Sequence, residues 1–266
     1  MRLLFLLLIS FTYPLSAFSH ESWIEPELYR IASDQQIRAH IRVGEEFIGE
    51  SHSYNKRDYR MLELNSGNNS EPITGRLGNI PAIQILPSDP GLHILRHESI
   101  GTQLEYEGME KFKRFVESVG LPRIAIEHLE RRYPTDFFRE RFVRFSKALI
   151  AVGAGRGADS STDWPVEIIA VDNPYTQTNS GPLTFVLLKD GDPWPNHVVT
   201  AFLKSDDDSV DIRTLDTDSE GRFILQWSGN GSVLLSAVTI APEKKTGYDR
   251  KTLWRSNWAS LTFGAH

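Results

Sequence analysis

Between Trp23 and Glu105, apolar and polar residues alternate with a period of two. In QQIRAHIRVGEEF, Ile37, Ala39, Ile41 and Val43 fall on one face and Arg38, His40 and Arg42 on the other. That is the pattern of a strand with one face on a core and the other in water. GNIPAIQILPSDPGLHILRHES repeats it, with Pro87 to Gly91 as a turn between two short strands. The period changes after Gly108. Met109, Phe112, Phe115, Val116 and Val119 follow helical spacing, and Gly120 with Pro122 ends that segment. RIAIEHLERR continues as a second helical piece as far as Pro134. TDFFRERFVRFSKALIAVG opens on a capping threonine or aspartate and runs Phe138, Phe142, Phe145 and Leu149 down one side, which predicts a third helix.

Gly153 to Thr162, GAGRGADSST, is a small-residue loop, after which WPVEIIAV reads as a strand returning to the first β region. A boundary is expected near Asp172 to Pro174. Beyond it, GPLTFVLLKDGDPWPNHVVTAFLKS, DIRTLDTDSEGRFILQW, GSVLLSAVTI and WASLTF give short strands at the spacing of an immunoglobulin-like or transthyretin-like sandwich. The expected fold is mainly β. It has two β-sandwich domains, residues 20–172 with an α-helical insertion over about 108–150, and residues 173–264.

The first 19 residues stand apart. Leu3 to Leu8, with Ile9 and Phe11, form an apolar run too short to span a bilayer, and Ala17 and Ser19 are the small residues a signal peptidase needs. Residues 1–19 therefore read as a signal peptide, which makes His20 the first residue of a periplasmic product. No later segment approaches the roughly 20 apolar residues of a membrane helix, so no membrane span is expected in the mature chain. The net charge of −6 argues against nucleic acid or an anionic membrane as partner. With no cysteine among 266 residues, disulfides, thiolate ligands and cysteine nucleophiles are excluded.

A free N-terminal histidine offers its α-amine and its imidazole Nδ1 to one ion, and both can be deprotonated near neutral pH. Nitrogen ligands suit nickel, copper and zinc, so His20 is a candidate metal ligand. His93 and His97 share one face of a predicted strand with Leu95 between them. About 13 Å apart at roughly 3.3 Å per residue, they cannot both reach one ion unaided. His93 is preferred, because His97 precedes polar residues at the strand end. His52, in a polar loop near Glu45, Glu46 and Glu50, is the third candidate. His40 lies between two arginines and is set aside, while His128 and His197 read as surface residues. The run DTDSEGRF reads as a turn and not as a calcium loop. No nucleophile elbow, H-E-x-x-H or P-loop occurs, and no enzyme is expected.

HESWIEP after the signal, RVGEEFIGE, GLHILRHES, FKRFVESVGL, RFSKALIAVG, VEIIAVDNPY, TDSEGRF and SNWASLTF together resemble the NikM-like family. These are exported bacterial proteins associated with cobalt/nickel transport, whose domain is one of unknown function. The resemblance implies a β-rich periplasmic protein with a helical insert that binds or delivers a divalent transition metal, with a membrane transporter subunit among its candidate partners. It favours nickel or cobalt, while the N-terminal chelate favours copper. The competing expectation is a metal-independent β-sandwich module for an envelope or transporter partner; Trp194, Trp227, Trp254 and Trp258 are candidates for its surface, although the aromatic core of a sandwich is the commoner explanation for them.

Overall fold

A computed structural model of the chain describes residues 21–176, 181–244 and 249–266. In chain order the first strands are β1 Glu21–Pro26, β2 Arg30–Ile31, β3 Ile37–Glu45, β4 Ile48–His52, β5 Tyr59–Ser66, β6 Asn69–Pro72, β7 Ile83–Ile85, β8 Gly91–Ser99 and β9 Thr102–Tyr106. Helices α1 Met109–Ser118 and α2 Arg123–Glu130 follow, then β10 Phe138–Val152, β11 Val166–Ala170, β12 Gly181–Lys189 and β13 Asp192–Pro193. The remaining strands are β14 Val198–Lys204, β15 Val210–Asp216, β16 Arg222–Trp227, β17 Ser232–Pro242 and β18 Thr252–Gly264.

These strands make three sheets. A central sheet runs β15-β14-β17-β18-β10-β8-β5-β6, with β2 and β9 also paired to β10. One flanking sheet joins β1, β3, β4 and β7, and the other joins β11, β12, β13 and β16. The molecule is a mainly β, layered sandwich fold, as the alternation of its strands implies.

Alternation assigns every central residue to a layer. On one face of the central sheet, Phe145, Leu149 and Ala151 of β10, Val233 and Leu235 of β17, and Leu261 and Phe263 of β18 pack against Val166, Phe185 and Leu225 of the β11–β12–β16 layer. On the opposite face, Ala148, Ile150 and Val152 of β10 meet Ile24, Ile37 and Ile41 of the β1–β3–β4 layer. The rest of that face, carrying Phe138, Phe142, Trp254 and Trp258, is covered by Phe112, Phe115 and Val116 of α1.

Three sequence expectations change here. The third predicted helix is the strand β10, and the helical insertion ends at α2 instead of near residue 150. Phe138, Phe142, Phe145 and Leu149 fit helical spacing because a strand buried on both faces has apolar residues at nearly every position. β10 lies at the centre of the largest sheet, parallel to β18 over Arg139–Ala148 and antiparallel to β8 and β9 on its other side. Next, β11 does not return to the first β region; it pairs with β12 across Val166–Ala170. Finally, the division expected at residue 172 does not separate two cores. Leu92, Phe145 and Leu149 share one cluster with Leu183, Phe185 and Phe263, and both halves of the chain contribute strands to the central sheet.

The β3–β4 hairpin positions one end of the candidate site. Glu45 pairs with Ile48, leaving Glu46 and Phe47 as a two-residue loop, both at positive φ (52° and 64°), the conformation that matches the twist of the flanking strands. The loop turns Phe47 into the interior, edge-on to Trp23 with ring centroids 5.4 Å apart. It also fixes the register that sets His52 opposite Ile41, so the exposed His52 side chain lies on the same side of this sheet as Ile41.

Candidate functional site

Between the β1–β3–β4 layer and the central sheet lies a cavity of about 220 Å³. Its wall includes Ser22 of β1, His52 of β4, Tyr54, Tyr59 of β5, His97 of β8 and Arg144 of β10. His97 reaches it because Leu95 and His97 sit on the same face of β8, the one turned toward the β1–β3–β4 layer.

His97 is 5% exposed, and its Nδ1 is buried without a hydrogen-bond partner among the described residues. Burial, reinforced by the Arg144 guanidinium and by His52, pushes its pKa down to about 4. At neutral pH it is an uncharged imidazole with a free lone pair or a free N–H at the cavity wall. Tyr59 stands edge-on to it at 6.1 Å, with Tyr54 beside its hydroxyl. Leaving a buried polar atom unmatched costs about 1–3 kcal/mol, so His97 Nδ1 marks the cavity as a place for a ligand. Outside the cavity wall, burial and the neighbouring Glu45 raise the Glu21 carboxyl to about 7, while Arg144 works in the opposite direction. The Arg144 guanidinium is pushed down to about 10 by burial and held up by Glu21 and Glu140.

Of the three histidines proposed from sequence, His20 lies outside the described residues. His52 lines the cavity, but the structure brings it together with His97, not His93. His93 is fully buried further along β8, paired with Ile150 and Ser66, and its Nδ1 faces the Gly91 carbonyl at 3.4 Å. Strand-end position counts against His97 in the sequence, yet the cavity lies at that end of β8. Among the described residues, no group of three or more His, Cys, Asp or Glu side chains could hold a metal ion. The described cavity wall offers two imidazoles, His52 and His97, and one carboxylate, Asp58.

Two other histidines were misjudged as surface residues. His128 is fully buried between Trp254 and Pro134, and His197 is 4% exposed and stacked on Trp194 with centroids 3.6 Å apart. The four tryptophans are largely inside, as the aromatic core of a sandwich, the commoner of the two explanations, requires. Trp227, Trp254 and Trp258 are buried and Trp194 packs partly against the main core, so they form no docking face.

A sequence model for a domain of unknown function, DUF4198, matches residues 17–241. The chain belongs to this family. The DUF4198 match takes in β1 through most of β17 and every residue of the cavity wall named above, and it stops short of β18. No curated protein matches the chain. Among solved structures the chain is similar to the D0-D1 domain of intimin, at 11% identity over 91% of this chain and 97% of that one, with a TM-score of 0.22. No helix among the described residues is long and apolar enough to cross a membrane.

Proposed function

We propose that this DUF4198 chain is a periplasmic protein that binds or delivers a divalent transition metal, nickel or cobalt by resemblance and copper by ligand chemistry. The ligands are His97, His52 and, from outside the described residues, His20. The observation that carries the reading is His97, a neutral imidazole whose buried Nδ1 faces a cavity without a partner. Imidazole is a ligand of choice for these ions, and a pKa of about 4 means that no proton has to be displaced at neutral pH. Ser22 lines the same cavity, and His20 precedes it by two positions, a span of at most about 7 Å of chain. A bound ion would meet the positive Arg144, whose charge is offset by Glu21 and Glu140.

Calorimetric titration of metal-stripped protein with nickel, cobalt and copper tests this, with intact mass to establish that the chain begins at His20. One equivalent of metal is expected to bind wild type and His93→Ala, and affinity to fall at least about tenfold in His97→Ala or His20→Ala. Unchanged affinity in His97→Ala, or no binding by wild type, overturns the proposal.

A further inference from the structure

Lys147 is 1% exposed, and it does not face water, the cavity or the candidate ligands. Its Nζ lies 2.5 Å from Oε1 of Glu167 and 3.2 Å from Oδ1 of Asp159, and those two side chains are 2% and 0% exposed. One ammonium and two carboxylates are thus sealed together between β10, the 153–165 loop and β11. Ordinary buried pairs carry a large desolvation cost that the mutual attraction often fails to recover, and here a full negative charge remains after pairing.

The surrounding groups are arranged around the Asp159 carboxyl. Oδ2 accepts the Ala170 N–H at 3.0 Å, Oδ1 accepts the Ser160 N–H at 2.8 Å, and the Ser160 carbonyl accepts a hydrogen bond from Lys147 Nζ at 3.0 Å. Glu167 is fixed by the Ser161 hydroxyl at 2.8 Å and the Thr162 N–H at 2.9 Å. Arg96 holds the loop from the other side, donating to Ser160 Oγ at 2.9 Å.

We propose that Lys147 and Asp159 form an intramolecular amide bond, with Glu167 as the proton carrier. An amine within about 3–3.5 Å of a carboxyl, in fixed orientation, has an effective molarity of up to about 10⁵–10⁸ M, and Glu167 is within the reach required of a general base. Glu167 takes a proton from the ammonium and passes it to Asp159 Oδ1, leaving a neutral amine beside a neutral acid. The Nζ lone pair forms a bond to Cγ, and the displaced electron pair rests on Oδ2, where the Ala170 N–H receives it. Glu167 then carries a second proton from nitrogen to Oδ1, the Cγ–Oδ1 bond breaks, and Oδ1 departs as water. Of the three ammonium protons, two leave in the water and one stays on the amide nitrogen. Glu167 ends as a carboxylate, and three buried charges become one. No oxidant or co-reactant is needed. In a chain without cysteine, the bond would fasten the centre of β10 to the loop that precedes β11.

The test is the mass of denatured full-length protein, compared with the value calculated from its own N-terminus. A deficit of about 18 Da, one water, is expected. Tryptic digestion should give residues 145–156 joined to 157–189, with no cleavage after Lys147. In Glu167→Gln the deficit should disappear and cleavage after Lys147 should return. A wild-type mass with no deficit, or a deficit that maps to other residues, overturns the proposal whatever the variant does.

Discussion

Trp254 donates its indole N–H to Nδ1 of His128 at 3.0 Å, with both side chains fully buried. The opposite nitrogen, Nε2, faces the Pro134 carbonyl at 2.9 Å. That geometry admits only the neutral imidazole with its proton on Nε2, and burial lowers the His128 pKa in the same sense. The pair joins α2 to β18. Trp254→Phe keeps a ring in the site but leaves Nδ1 without a donor, and should cost about 1–3 kcal/mol in urea unfolding. His128→Phe in the Trp254→Phe background should cost less than the sum of the two single changes.

Acid should destabilise the fold through its buried histidines. Burial holds His97 and His197 at about 4, whereas an unfolded imidazole titrates near 6.5. Between those values the unfolded chain binds more protons, so stability falls as pH drops from about 6.5 toward 4, by up to about 1.4 kcal/mol per pH unit for each group. Above 6.5 these groups contribute no pH dependence. Glu21 acts oppositely, because its carboxyl is raised to about 7 from an ordinary 4.5: its contribution is full below the unfolded value and is lost as pH rises through 7. Unfolding midpoints measured from pH 4 to 8 should therefore slope downward on the acid side, and His197→Phe should make that slope shallower.

Adjacent residues of β10 should be equally costly to truncate. Leu149 packs toward the β11–β12–β16 layer and Ile150 toward the β1–β3–β4 layer, each with no exposed surface. Leu149→Ala and Ile150→Ala should each destabilise by about 2–5 kcal/mol in denaturant titration. A helix at this place, as the spacing alone predicts, would put one of the two in or near solvent and make that change nearly neutral.

The same contrast shows what could be read from the residues. Strands with one wet face, such as β3, declare themselves by alternation, and α1 by its run of Met109, Phe112, Phe115 and Val116. β10 does not, because alternation vanishes when both faces are dry. Its partner β18 lies more than a hundred residues further along the chain, and no local pattern announces that parallel pairing. The cavity is non-local in the same way. His52 and His97 are both visible in the sequence, yet their meeting depends on the register of β3 with β4 and on the packing of two separate sheets. Of the Lys147, Asp159 and Glu167 cluster, Lys147 and Glu167 leave a trace as charged residues embedded in apolar strands, whereas Asp159 sits in a small-residue loop that does not announce its burial.

Gly49 is held to its identity by space. A Cβ there would lie 2.5 Å from the Val43 carbonyl oxygen and 2.7 Å from the Trp23 ring. Gly49→Ala should destabilise by about 1–3 kcal/mol and change the near-ultraviolet circular dichroism of the tryptophans.

The central seam has a consequence for the order in which the molecule can assemble. β18 lies between β10 and β17, and both precede it in the chain. While the polypeptide is being synthesised, each of those strands must wait with one row of backbone donors and acceptors unpaired and open to a foreign strand. Closure comes only when residues 252–264 arrive, so the central sheet is committed after its other strands have been made.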